Sequence, residues 1–242
     1  MTNKVLRLFL VTIVFIPFPA QAVTVGKDFT WVTQLSFWTD YYSRGISQTQ
    51  GMPAPQILST VFHTSGIYAG IFVSRVRFAD HHAADAEADA YIGINKYLGK
   101  FNYRAGVIRY SYPNADDSLK YNFTELDLAA GYDFGLFSSV LGLKYSPNYF
   151  ADSGNEAYYT FDAQVPLYDK KLKAAAHFGY RQIEKNTAFY WLPDNSDWSL
   201  GLEYDVTDKI KISGKYVDSS FNETECPNIC NARLIGGVSY SF

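Results

Sequence analysis

The sequence predicts an all-β chain closed into a transmembrane, antiparallel, up-and-down β-barrel of about twelve strands. Three observations carry this expectation: an export-type leader over residues 1–22, connectors that alternate strictly in length, and a final alternating strand that stops on Tyr240-Ser241-Phe242. Lipid offers the backbone no hydrogen-bonding partner, so a chain that crosses it with strands must close its sheet on itself.

The leader carries Lys4 and Arg7, an apolar run from Leu8 to Ile16, and then Ala20-Gln21-Ala22. That order is a cleavable secretory signal with processing before Val23, leaving residues 23–242 as one barrel domain. An uncleaved anchor is the competing reading, but the apolar run falls short of the ~20 residues that span a bilayer. Cleavage removes two bases and no acid, so the mature chain is more acidic than the formal −3 of the whole sequence.

An acidic balance without basic runs makes nucleic acid an unexpected partner. The mean hydropathy is slightly negative, as in a soluble protein. The aromatic content argues the other way: 17% of residues, with 20 Tyr and 18 Phe, suits two interfacial girdles.

Taken in order, long polar connectors fall near 43–55, 79–86, 112–121, 146–157, 184–196 and 218–232. Short ones fall near 63–66, 97–100, 134–137, 166–171 and 206–209. Six long and five short connectors interleave, which gives about twelve strands with both termini on the tight-turn side. A soluble sandwich has no reason to sort its loops by parity.

Strand faces follow from period-two alternation. Over 125–134, Leu126, Leu128, Ala130, Tyr132 and Phe134 oppose Glu125, Asp127, Gly131 and Asp133. Over 173–183, Ala174, Ala176, Phe178 and Tyr180 oppose Lys173, His177 and Arg181. Trp198, Leu200, Leu202, Tyr204 and Val206 then oppose Asp197, Ser199, Gly201, Glu203 and Asp205. Ile210, Ile212 and Tyr216 oppose Lys211, Ser213 and Lys215, and Leu234, Val238, Tyr240 and Phe242 oppose Arg233, Ser239 and Ser241. Polar-in, apolar-out is the membrane order, and the leader, loop parity and aromatic content select it over the soluble inverse. Segments 56–62, 67–78 and 101–112 stay unoriented, because they are apolar on both faces or carry arginines of opposite parity, Arg104 and Arg109. A bulge there is one explanation.

The stretches Thr39-Asp40-Tyr41-Tyr42-Ser43-Arg44-Gly45-Ile46-Ser47-Gln48, Gly66-Ile67-Tyr68-Ala69-Gly70, Tyr145-Ser146-Pro147-Asn148-Tyr149-Phe150 and Asp197-Trp198-Ser199-Leu200-Gly201 carry a resemblance, together with Cys226 and Cys230. The chain resembles the TorF-type porin family of proteobacterial outer-membrane proteins. The resemblance implies a barrel and a channel role, and it brings no catalytic residues. The last strand is also similar to the signal read by the barrel-assembly machinery, with Gly237, Tyr240 and Phe242 in place; Ile235 departs from the polar residue usual there. Outer-membrane lipid, that machinery and periplasmic chaperones are then the expected partners.

The candidate pore-lining residues are Asp40, Arg44, Glu125, Asp127, Lys173, His177, Arg181, Glu203, Lys211, Lys215 and Arg233. Acidic and basic strips in a water-filled lumen would orient small hydrophilic solutes. Alternatively, neighbouring strands pair their charges and fill the interior. About twelve strands fall between a barrel filled by its side chains and a wide porin, which suits a narrow pore. Asp40 and Arg44, on the lumen parity of strand one, form either a constriction or a tie for the first loop beside Gly45.

Cys226 and Cys230, in an exported chain, read as a disulfide in the last long loop. Two thiolates are too few for a closed zinc site. Asp80, His81 and His82 with Asp85 read as a solvated loop rather than a metal site, and no metal or cofactor is expected. His177 reads as a lumen residue among cations rather than a general base, since no nucleophile and orienting group cluster with it in the sequence. The glycines of the inner face, Gly131, Gly179, Gly201 and Gly237, either leave room for a ligand or let aromatic neighbours lie across them. The expectation is a non-enzymatic bacterial outer-membrane channel for small hydrophilic solutes. A closed barrel that binds a ligand or partner through its outer loops is the alternative.

Overall fold

The structure, a computed structural model, describes residues 23–78, 84–184 and 192–242. The leader and the Asp80-His81-His82 segment lie outside the described residues. The chain opens with a short strand β1 (Val23–Val25), followed by the first wall strand β2 (Phe29–Trp38). A small hairpin of β3 (Tyr42–Ser43) and β4 (Ile46–Ser47) interrupts the first long connector.

The wall continues through β5 (Ala54–His63), β6 (Ile67–Arg75), β7 (Ala86–Leu98), β8 (Phe101–Tyr110), β9 (Phe123–Asp133) and β10 (Ser138–Ser146). It is completed by β11 (Glu156–Pro166), β12 (Leu172–Ile183), β13 (Asn195–Asp205), β14 (Ile210–Ser219) and β15 (Arg233–Ser241). The twelve wall strands, β2 and β5 to β15, pair antiparallel with their sequence neighbours, and β2 pairs with both β5 and β15 to close the ring. The seam runs to the last residue: Thr33 and Phe242 exchange backbone hydrogen bonds of 2.9 and 3.0 Å. Connector lengths alternate as the sequence predicts, with loops and the small hairpin at one end and tight turns at the other.

The apolar face is outside. Leu141, Leu200 and Leu234 stand 62%, 65% and 81% exposed, while Glu125 and Glu156 on the inner face are fully buried. In water this would expose a continuous greasy surface; in hydrocarbon it is the favourable order. Phe101, Tyr132, Phe134, Tyr204 and Tyr240 ring the tight-turn end of this surface, and Phe37, Tyr145, Tyr180 and Tyr216 the other.

The segments left unoriented by their sequence contain no bulge, because β5 to β9 pair in unbroken register. Their difficulty has another origin. Leu58, Phe62, Tyr68, Phe72, Tyr91 and Ile108 point inward and pack into one apolar cluster, so β5, β6 and β8 carry large apolar side chains on both faces, interspersed on the inner one with Gln56, Thr60, Ser74, Asn102 and Arg104. Arg104 points inward, whereas Arg109 points out near the loop end and donates to Thr124 Oγ1 at 3.1 Å.

The face assignment can be tested by placing a charge on either side. Leu200→Lys should cost about 2–4 kcal/mol near the bilayer midplane. Gln34→Lys, on the inner face, should cost at most about 1 kcal/mol. Urea unfolding of the two variants in lipid vesicles measures both, and equal costs would contradict the assignment.

Candidate functional site

The interior divides into two unlike walls. β5 to β8 present the apolar cluster, and β9 to β15 present most of the charge. Much of that charge pairs sideways, between adjacent strands. Arg104 on β8 meets Asp127 on β9 at 2.7 Å, and Lys144 on β10 approaches the same carboxylate at 3.5 Å. Lys173 on β12 meets Asp205 on β13 at 2.7 Å, and Lys211 on β14 meets Glu203 on β13 at 2.9 Å. His177 sits between Asp162 on β11 at 2.7 Å and Asp197 on β13 at 3.2 Å.

Sideways pairing follows from sheet geometry: residues opposite each other on neighbouring strands have Cβ atoms ~5 Å apart, whereas the far wall is several times more distant. Of the sequence alternatives, pairing between neighbouring strands is the one observed. The salt bridges form, yet they line the wall instead of filling the axis. A cavity of about 160 Å³ remains inside, bordered by residues of both walls, among them Gln34, Leu58, Tyr91, Glu203 and Lys215.

One charge does cross the axis. The first long connector folds inward as a strap, and Arg44 sits in its β3–β4 turn with a left-handed φ of 50°, next to Gly45 at 86°. Gly45 is needed there, since a Cβ would collide with Ser219 and Asn195. The Arg44 guanidinium donates to Glu156 at 2.6 Å and to Glu125 at 2.8 Å. These acids stand on β11 and β9, which flank the strand diametrically opposite β2 in the ring. Tyr149 and Tyr158 lie over the same guanidinium at 5.3 and 4.9 Å. Burial alone would favour the neutral side chain, but Glu125 and Glu156 outweigh it and push the Arg44 pKa above its ordinary value. Arg44 is not a strand-one residue of lumen parity, as its sequence position suggested. β2 ends at Trp38, and the strap carries the charge across.

The strap is anchored along its length. Asp40 accepts from Ser47 Oγ at 2.6 Å, Thr49 Oγ1 at 2.7 Å and Arg233 Nη1 at 2.7 Å. The Asn195 amide donates to the Arg44 carbonyl at 3.1 Å, and Tyr41 donates to Glu87 at 2.8 Å. The last loop holds the strap from above: Ser47 N donates to Ile229 O at 2.7 Å and Tyr42 to Cys230 O at 3.2 Å. Cys226 and Cys230 are joined by a disulfide, which fixes the shape of that loop. Burial pushes the Tyr42 hydroxyl up to about 12, so it stays a donor at neutral pH.

All eleven sequence-predicted residues have their side chains inside the barrel, but in separate roles. Asp40, Arg44, Glu125 and Arg233 hold the strap. Asp127, Lys173, His177, Glu203 and Lys211 belong to wall pairs. Arg181 and Lys215 border the cavity. His177 is engaged by Asp162, Asp197 and the Tyr158 hydroxyl at 3.0 Å, with Tyr158 itself donating to Asp197 at 2.9 Å. Gly179 and Gly237 make room for aromatic rings, those of Tyr158 and Trp38.

Sequence reasoning missed Glu87, Asp89, Arg104, Lys144, Glu156 and Asp162. Some were legible: Val140, Gly142 and Lys144 alternate with Leu141, Leu143 and Tyr145, and Glu87 and Asp89 alternate with alanines. Glu156 was hidden because it opens β11 at the edge of a polar connector.

Residues 22–235 match the family Gcw_chp, described as a bacterial protein of unknown function. The chain belongs to the Gcw_chp family. No curated protein matches this Gcw_chp member in sequence. Among solved structures it is similar to the NanC porin, with a TM-score of 0.56 at 9% identity over 88% of this chain and 98% of that one. A structure from work on the in-meso crystallization of membrane proteins gives 0.52 at 10% identity, covering 87% of this chain and 83% of that one. OprD from Pseudomonas aeruginosa gives 0.48 at 9% identity, covering 91% and 67%. The first two likenesses establish a shared barrel fold.

Removing the arginine of the strap leaves the buried Glu125 and Glu156 carboxylates without the cation that donates to both. Arg44→Ala should therefore destabilise the barrel by about 3–5 kcal/mol. Arg44→Met combined with Glu125→Gln and Glu156→Gln should recover most of that loss. Thermal unfolding in detergent followed by circular dichroism reads both, and an Arg44→Ala protein as stable as the wild type would contradict the role of the strap.

Proposed function

We propose that this Gcw_chp protein is a bacterial outer-membrane channel for passive passage of small hydrophilic solutes, with the strap setting the width of the path. The observation that carries this reading is an interior whose charges pair along the wall and leave a cavity between them. A barrel that served only as a scaffold would gain more from packed apolar side chains than from ion pairs, whose desolvation is costly. The barrel fold shared with the NanC porin agrees with this reading, as does the resemblance to the TorF-type family. Export by the 1–22 leader belongs to the same proposal, together with insertion through a barrel-assembly signal at Gly237, Tyr240 and Phe242 with periplasmic chaperones.

A closed barrel acting through its loops remains a second reading. It is favoured by the aromatic packing at the loop end, where Phe78, Tyr112, Tyr121 and Phe150 meet at ring distances of 4.3–6.1 Å.

Purified protein in planar bilayers distinguishes the two. Discrete conductance steps are expected, and Arg44→Met with Glu125→Gln and Glu156→Gln should enlarge them by freeing the strap. Silence of both proteins over a range of voltage and salt would favour the closed barrel. Lys211→Glu should shift the reversal potential in a salt gradient towards cation selectivity, and an unchanged potential would mean that ions do not pass this wall.

A further inference from the structure

We infer that the cavity behind the strap is a binding site for a small organic anion with an apolar body, such as an aromatic carboxylate. The inference deepens the channel reading and rests on it for access from solution. Two independent features of the cavity converge on this class of ligand.

The first is an unpaired cation. Lys215 points inward from β14 and borders the cavity. Among the described residues it has no carboxylate within 4 Å, unlike Arg44, Arg104, Lys173, Lys211 and Arg233. Its ammonium lies 5.7 Å from the centre of the Trp38 ring, and its stem passes over Gly201, where a Cβ would collide with it. The cation is thus placed beside an aromatic face with no carboxylate in direct contact. The acids it feels from farther off, Asp197, Glu203, Asp40 and Asp162, are each engaged elsewhere, Asp197 and Asp162 by His177, Glu203 by Lys211 and Asp40 by Arg233.

The second feature is the opposing wall. Leu58, Phe72, Tyr91 and Ile108 border the same cavity and belong to the apolar cluster. Inorganic ions gain nothing from such a surface. A ring or branched chain does, by removing apolar area from water.

Acids near the cavity do not cancel this preference. Glu203 is taken up by Lys211, and Asp40 by Arg233. Glu87 accepts from the Tyr41 hydroxyl and is hydrogen-bonded to Asp89 beside it. Lys215 is partly exposed, so it is the charge a solute in the cavity meets.

Fluorine NMR of purified protein in detergent, with 4-fluorobenzoate as the probe, tests the inference without relying on conductance. 4-Fluorobenzylammonium serves as the cationic counterpart and acetate as a competitor without an apolar body. Fluorobenzoate should bind more tightly than either. Lys215→Gln should weaken it at least tenfold, while Lys215→Arg, which keeps the charge, should retain it within a few fold. Ile108→Thr should weaken it several fold without changing acetate binding. Equal binding of the ammonium probe, or unchanged affinity in a folded Lys215→Gln protein, would overturn the inference. Conductance without fluorobenzoate binding would refute this site and leave the channel standing, whereas binding without conductance would refute the channel and leave the site.

Discussion

Backbone hydrogen bonding sets everything else in this molecule. Each strand donates and accepts on both edges, so a sheet with an apolar exterior is tolerable in hydrocarbon only when no edge is left. Closure between β2 and β15 removes the last edge, and the Thr33–Phe242 pair extends the seam to the final residue. Once the ring is closed, period two leaves each wall residue one of two places, the lipid or the interior. Register then dictates which charges meet. Arg104 reaches Asp127 and Lys211 reaches Glu203 because the ladder puts them on neighbouring strands, with no need for a designed network across the axis.

The strap is the exception and has to be held against that tendency. A connector that enters the barrel brings backbone polar groups and a guanidinium into a poorly solvated space. The cost is offset where every arriving group finds a partner. Asp40 gathers the two hydroxyls of the strap and Arg233, Asn195 takes the carbonyl of the turn, and Glu125 with Glu156 takes the charge. The disulfide loop covers the outer side and supplies two carbonyls. Three parts of the chain distant in sequence therefore depend on one turn, and loss of Arg44 propagates to all of them.

Much of the barrel was readable from residue order. Connector parity gave the strand count, and alternation on β9 and β12 to β15 put Glu125, Asp127, Lys173, His177, Arg181, Glu203 and Lys211 on the inner face. Alternation fails where both faces share a polarity, and this happens over β5, β6 and β8 because the apolar cluster occupies part of the interior there. Arg109 compounds the difficulty by standing on the outer face near the loop end, where a charge costs ~0–1 kcal/mol instead of the midplane penalty. The path of the strap was not legible. Residues 39–53 read as a polar loop whether they hang outward or turn inward, since the groups that hold them are spread over 40 to 233. The pairing of Arg44 with acids on the far wall, with the bonds from Arg233 to Asp40 and from Asn195 to the Arg44 carbonyl, shows which way the loop goes.

The same failure of alternation says something about function. A lumen meant for water and ions alone would be polar around its whole circumference, and every strand would then have shown a clean period of two. Three strands, β5, β6 and β8, do not, and their inward apolar side chains join Tyr91 of β7 in one patch rather than standing as scattered exceptions. The patch is partly open to the cavity, so it is not simply a core sealed away from solvent. An apolar surface facing a charged one across a narrow space favours molecules that carry both characters. The ambiguity that prevents β5, β6 and β8 from being oriented by sequence therefore has the same origin as the apolar side of the cavity.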